Sequence, residues 1–375
     1  MSEAAHDLIE LAYGPVTPLL TKAVRAQLTA GPGKVFYGGD WSAIEARVNA
    51  WFAGETWRLE AFAAYDKGLG ADLYKVSYAK NFHADVDAVT NSQRRIGKTT
   101  ELACGYQGSV GAWLRFDPDP KAVTRIVREH MFGTDAWREA EAQYDRAVHH
   151  LGLAPDEWIA VKVVINGWRA ASSNICASWW ALQDAAIEAV SMPGFVVPCL
   201  GGKVRYLVED GFLWCRLPSG KLLAYSSPRL VETRDEWLID GEGNVFSAEE
   251  LSPEQFGAKR AEPGVTLEAG RTRTQVQFRG KNQKTGAWGP QRLYGGMQCN
   301  NVVQGFAREL LRFAMHNVER ANYPIVLHVH DEIVSEVDAR FGSVAEYEKL
   351  MAIMPPWAAG LPLSSKAWTD RRYVK

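Results

Sequence analysis

The chain has 375 residues, 47% of them apolar, and a formal net charge of −2 at pH 7. That length and composition suit one large core or two to three smaller ones and carry no sign of disorder. Its five cysteines, Cys104, Cys176, Cys199, Cys215 and Cys299, form no C-x-x-C pair and leave one thiol over. This argues against a disulfide framework and a structural zinc site, and points to a reducing cytoplasm. No apolar run is long enough to span a membrane, and Met1 to Glu10 carries acids where a signal peptide carries bases, so neither insertion nor secretion is expected.

Charge is unevenly spread. Acids dominate Glu232 to Glu254, whereas Arg271 to Arg292 holds Arg271, Arg273, Arg279, Lys281, Lys284 and Arg292 without an acid. The basic stretch reads either as a solvated loop or hairpin or as a phosphate-contacting surface.

In chain order, Leu8 to Leu28 reads as a helix, ended by Gly31-Pro32-Gly33 before an extended Lys34 to Tyr37. Asp40 follows where that strand runs out. From Ser42, with Glu45 three residues on, Ile44, Val48, Trp51, Phe52, Leu59 and Phe62 recur at helical spacing. The stretch from Asp72 to about Ala189 reads as one helical subdomain with a loop at Asp117-Pro118-Asp119-Pro120. Its tryptophans, Trp168, Trp179 and Trp180 among them, read as packing residues rather than stacking platforms. Strands are expected at Phe195 to Val208, Phe212 to Leu217 and Leu222 to Tyr225, the last two joined through Pro218-Ser219-Gly220. A further strand follows at Thr274 to Arg279, then a Lys284-Thr285-Gly286 turn and a helix over Asn300 to Arg320. Ile325 to Glu336 alternates as a hairpin bent at His330-Asp331.

An aspartate at a strand end is by itself equally a turn residue or a helix cap. Two brought together on adjacent strands repel unless cations bridge them. Two metal ions about 4 Å apart can activate a hydroxyl and stabilise a departing pyrophosphate. Asp40 and Asp331 therefore suggest phosphoryl transfer. Arg94, Lys98, Leu102 and Tyr106 recur every four residues, so on a helix they share one face, cations first and an aromatic last. Such a face suits a triphosphate at its basic end and a base at its apolar end, and reads otherwise as a surface helix with ordinary basic residues. Metal-dependent cleavage remains a further reading of the carboxylates, although it gives this face no role.

Asp40-Trp41-Ser42-Ala43-Ile44-Glu45, Arg94-x-x-x-Lys98-x-x-x-Leu102-x-x-x-Tyr106 and His330-Asp331-Glu332, in this order, resemble motifs A, B and C of family A DNA polymerases, the bacterial DNA polymerase I group. Gly97 to Tyr106 and Tyr294 to Gly305 resemble segments of its phage branch, and the resemblance runs from about Leu8 to the C-terminus. It implies an α+β fold of right-hand architecture, with an antiparallel palm sheet and helical fingers. Residues 1–50 would be the N-terminal part of the palm with motif A, and 51–190 the fingers with motif B. Residues 191–375 would complete the palm with motif C and an inserted segment near 231–292.

The same resemblance implies a DNA-directed DNA polymerase core, extending a primer 3′-hydroxyl with deoxynucleotides from a primer-template. Two magnesium ions would be held by Asp40, Asp331 and the Trp41 carbonyl, with Glu332 supporting. Arg94 and Lys98 would grip the triphosphate, Lys98 doubling as proton donor to pyrophosphate. Glu45 and Tyr106 would exclude a 2′-hydroxyl. His330 would meet the primer terminus, while Asn300 and Gln304 would reach the minor groove.

The chain departs from the family at Leu102, where an aromatic is usual, and at Gly296, where an arginine is expected. It also lacks a Thr-Gly-Arg segment ahead of Asp40. Only 39 residues precede Asp40, too few for an exonuclease domain and a full thumb. The expectations are thus a split or partner-dependent phage or prophage replication enzyme in the bacterial cytoplasm, a protein partner supplying thumb or exonuclease, and no membrane association. A minimal polymerase and a prophage remnant stand beside these. So does a noncatalytic DNA-binding or assembly subunit derived from a polymerase.

Overall fold

A computed structural model describes residues 27–147, 150–247, 253–282 and 286–374. All but the last two residues of the helix expected over Leu8–Leu28, and most of the Lys284-Thr285-Gly286 turn, lie outside the described residues. The chain divides into two compact units, residues 1–45 with 306–375, and residues 46–305. Helices and antiparallel sheets are mixed throughout, so the α+β class holds. Among the described residues no helix is long and apolar enough to cross a membrane.

The first unit is built on a four-stranded antiparallel sheet ordered Ile325–Val329, Glu332–Asp338, Lys34–Trp41, Ser365–Asp370. The motif A strand is central, bonded on both sides. This is why it runs on through Gly38-Gly39-Asp40 to Trp41 instead of stopping at Tyr37 as its local pattern suggests. A Cβ on Gly38 would fall 2.2 Å from the Trp368 indole, and one on Gly39 2.5 Å from the Met351 sulfur. The two glycines thus let a ring and a thioether pack directly on opposite faces of the strand. Ala30, Phe36, Val334 and Tyr373 form the core on one face with Leu327 and Trp368 against them. The other face carries the aromatic cluster Tyr37, Tyr323 and Tyr347. Tyr347 comes from the helix Val344–Met351, whose N-cap Ser343 accepts from the Glu346 amide.

The second unit holds the helical block and two further sheets. Among the described residues eight α-helices run from Thr56–Asp66 to Ser173–Ser191. The helix Pro155–Ala171 buries Trp158, Ile159, Ala160, Val161, Val163, Val164, Ile165 and Trp168, so it is the core element about which its neighbours pack. Trp168 and Trp179 are buried as expected, whereas Trp180 is exposed. The six-stranded antiparallel sheet runs Trp288–Leu293, Arg273–Lys281, Leu222–Thr233, Phe212–Arg216, Val204–Glu209, Val197–Cys199. The single strand expected over Phe195–Val208 is broken, because Leu200, Gly201 and Gly202 all take positive φ and turn the chain. The basic stretch is a hairpin, Arg273–Lys281 against Trp288–Leu293, with Arg273 and Arg292 both facing Asp235. Residues 234–270 hold a separate three-stranded sheet, Val245–Ser247, Glu236–Ile239 and Thr266–Ala269.

Candidate active site

The expected residues fall into two groups, one on each unit. In the first unit Asp40 lies directly opposite Glu332 on one neighbouring strand and Lys366 on the other. Asp331 immediately precedes Glu332 and forms, with His330, the two-residue turn of the hairpin. The sheet therefore brings both aspartates to one end of adjacent strands. His330 takes the left-handed conformation, φ 54°, as a tight hairpin turn demands. Its Nδ1 lies 3.4 Å from Asp331 Oδ1, and its side chain is 66% exposed against 28% for Asp331.

Glu332 is buried. It accepts from Trp368 Nε1 at 3.2 Å and from the Tyr373 hydroxyl, so its carboxylate is committed to the C-terminal strand and the segment after it. The Trp41 indole donates to the Met351 carbonyl at 3.1 Å, leaving the ring buried beneath the end of the strand. Ala43, at φ 51°, turns the chain from strand into the helix Ile44–Ala53, with Glu45 in its first turn.

Among the described residues no group of three or more His, Cys, Asp or Glu side chains is arranged to hold a metal ion. Magnesium does not need one: it takes one or two carboxylates and fills its shell with water and substrate phosphate oxygens. Two part-exposed aspartates beside a backbone carbonyl are a hard oxygen donor set of that kind.

In the second unit the helix Asn91–Cys104 starts with a capping box, the Thr90 hydroxyl accepting from the Gln93 amide while the Gln93 side chain accepts from the Thr90 amide. Gly97 sets how closely it packs, since a Cβ there would stand 2.1 Å from the Tyr74 carbonyl oxygen. Arg94 is held by Asp72, Nε to Oδ2 at 2.9 Å, and lies over the Tyr74 ring. Asp72 also caps the helix Leu73–Phe82 through the amides of Tyr74 and Lys75. Lys98 and Leu102 are exposed, and Lys98 pairs with no carboxylate among the described residues. Tyr106 lies in the turn just beyond the helix, after Gly105, so the fourth member of the face is presented by a loop. Gln107, at φ 67°, ends that turn.

Gly296 packs against this turn. Its amide donates to Gln107 Oε1 at 2.9 Å, and a Cβ on it would fall 2.3 Å from the Tyr106 carbonyl oxygen. An arginine cannot stand there, which accounts physically for the departure at Gly296. Asn300 and Gln304 follow on the same helix, Gly295–Arg320, both part-exposed. Asp72, Gln107, Lys366, Trp368 and Tyr373 were not singled out from sequence. An aspartate ahead of Leu73 is a cap signal that could have found Asp72, whereas the others join the site only through pairings distant in sequence.

No protein-family model matches the chain. Over 372 residues, 99% of its length, it is 32% identical to a DNA polymerase of Bacillus phage SP02, of which it spans 46%. Among solved structures, the POL domain of Pol1 from M. smegmatis, in complex with DNA primer-template and dNTP, aligns with 94% of this chain and 42% of its own. That alignment has a TM-score of 0.46 and 15% identity. The sequence similarity to the phage enzyme runs along almost the whole chain and bears out the resemblance to family A DNA polymerases carried by the three motifs.

Proposed function

We propose that this chain is the palm and fingers core of a template-directed DNA polymerase, extending a primer 3′-hydroxyl with deoxynucleotides and releasing pyrophosphate. The observation that carries the reading is the meeting of Asp40 with the Asp331-Glu332 hairpin at one end of a single sheet. End-to-end similarity to a phage DNA polymerase supports it. In this reading Asp40, Asp331 and the Trp41 carbonyl hold two magnesium ions. Bound there, divalent ions would activate the primer hydroxyl and stabilise the charge of the leaving pyrophosphate.

The remaining work belongs to the chain itself. Arg94, its Nε fixed by Asp72, offers its terminal nitrogens as a planar fork to phosphate oxygens. Lys98 supplies a mobile charge and a proton for pyrophosphate. Leu102 and Tyr106 line the sugar and base, and Glu45 with Tyr106 excludes a 2′-hydroxyl. His330, exposed on the hairpin turn, meets the primer end, and the Asn300 and Gln304 amides read minor-groove acceptors shared by all base pairs. Surfaces that grip the duplex would come from elsewhere, either further residues of the same polypeptide or a partner.

Primer extension on DNA and RNA templates with magnesium, with and without host lysate, tests the reading. Extension by the parent and none by Asp331→Ala is expected. Equal activity in the variant would remove the proposed site, and DNA binding without nucleotide addition under every condition would make the chain an assembly subunit.

A further inference from the structure

Away from the carboxylates, the helix Pro155–Ala171 carries Trp158, Lys162, Asn166 and Arg169 along one stripe, at successive spacings of four, four and three residues. With Gln143 and Arg146 they line an open cleft of about 450 Å³. Three cations face it. None of Arg146, Lys162 or Arg169 pairs with a carboxylate among the described residues, although the helices around them hold several acids. Arg146 gives its Nε to the Ala142 carbonyl, and Arg169 gives Nη2 to the Gly108 carbonyl. The Arg169 Nε is buried without any partner among the described residues.

The amides beside them are partly engaged. Asn166 donates to Gln143 Oε1 at 3.2 Å, and Gln143 donates to Glu139. Burial, with the Arg169 charge adding to it, pushes the Lys162 ammonium below the usual lysine range. Its Nζ lies 5.9 Å from the centre of the Trp158 ring. Lys162 and Arg169 are partly buried, and Glu139, which accepts from Gln143, offsets only part of the positive charge at Lys162, so a bound anion would reduce the cost of holding these cations together.

We infer that this cleft is a phosphate-binding site. A phosphate matches two guanidinium forks, an ammonium and neighbouring amides. Two sources present that chemistry: the backbone of a single-stranded nucleic acid and a free phosphate such as pyrophosphate. The Arg169 bond to Gly108 ties the cleft to the turn just after Tyr106, so a strand seated here would run beside that turn. The inference needs none of the assignments made for Asp40 and Asp331.

The test uses the full chain and an Arg146→Gln/Lys162→Gln double variant, which leaves the Arg169–Gly108 bond intact. Binding of a short fluorescent oligothymidylate is followed by anisotropy across a salt series, and the rise in melting temperature with pyrophosphate is recorded in parallel. If nucleic acid fills the site, the double variant binds the oligonucleotide roughly tenfold more weakly. The slope of log K against log salt then falls by about 1.4, the value for two lost phosphate contacts on a single strand. If free phosphate fills it, oligonucleotide binding is unchanged and the pyrophosphate-induced rise is lost. Parental behaviour in both measurements overturns the inference. Should the double variant fail to fold, Arg146→Gln alone, on an exposed side chain, carries the same comparison with half the slope change.

Discussion

Trp368 donates its indole N–H to the Glu332 carboxylate at 3.2 Å, and the Tyr373 hydroxyl donates to the other oxygen of the same group. Neighbouring acids in one motif therefore have different work: Asp331 is part-exposed at the turn, while Glu332 is buried and fastens the C-terminal segment to the sheet. Glu332→Gln would replace one acceptor oxygen by an amide group that must face a donor. A loss of roughly 1–3 kcal/mol in urea unfolding is expected, with manganese binding, followed by electron paramagnetic resonance, kept within a few-fold of the parent. Asp331→Ala should do the reverse, melting like the parent and losing the metal. A Glu332→Gln protein that unfolds like the parent yet binds no manganese would exchange the two roles.

The helix that carries Arg94 and Lys98 is anchored near its C-terminal end by a buried ion pair. Glu101 accepts from Arg58 Nη1 at 2.6 Å and from Trp168 Nε1 at 2.9 Å, while Arg58 Nη2 donates to Ser172 at 2.7 Å. Both charged side chains are buried. Glu101→Gln leaves the guanidinium without a counter-charge, and about 3–5 kcal/mol of stability should go with it. The double change Arg58→Met with Glu101→Leu removes both charges and should recover much of that loss. Urea unfolding of the three proteins decides, and a single variant as stable as the parent would show that the pair does not anchor the helix.

Local pattern revealed the strand, aspartate and helix around Asp40, the bend at His330-Asp331, and the helix bearing Arg94, because each signal lies within a few residues of what it specifies. What stayed hidden came from distant pairings. Asp40 lies inside its strand because Glu332 and Lys366 sit on either side of it, and nothing near Asp40 in sequence announces either. The role of Gly296 depends on the carbonyl of Tyr106, 190 residues earlier in the chain. Tyr106 itself keeps the four-residue spacing, yet the last helical residue is Cys104. Spacing shows which residues can share a face, but hydrogen bonding decides where the helix stops.

Alkaline pH should destabilise the fold through its thiols. Burial pushes Cys176 and Cys199 up to about 11 and Cys215 and Cys299 up to about 12, from an ordinary value of 9.0. Folded protein therefore keeps these protons after the unfolded chain has released them. Their contribution is complete below about pH 9 and drains away as pH rises from 9 towards 12. Melting temperatures of the parent and a Cys215→Ala/Cys299→Ala variant, recorded from pH 8 upward, isolate the thiols from other titrating groups. The parent should fall more steeply above pH 9, and parallel curves would refute the assignment.

Gly296 links packing to the proposed nucleotide pocket. A methyl group there would stand 2.3 Å from the Tyr106 carbonyl oxygen and 2.6 Å from Gln107 Cβ, too close for either to remain in place. Relief requires the Tyr106–Gln107 turn to shift, or the first turn of the helix Gly295–Arg320 to lift and break the Gly296–Gln107 bond. Overpacking of this kind costs about 1–3 kcal/mol, so Gly296→Ala should melt lower than the parent. Because either relaxation removes the packing that holds the Tyr106 turn in place, the same variant should raise KM for the incoming deoxynucleotide more than it lowers kcat. A Gly296→Ala protein with a lower melting point but parental KM would confine the glycine to packing and detach the Tyr106 turn from nucleotide binding.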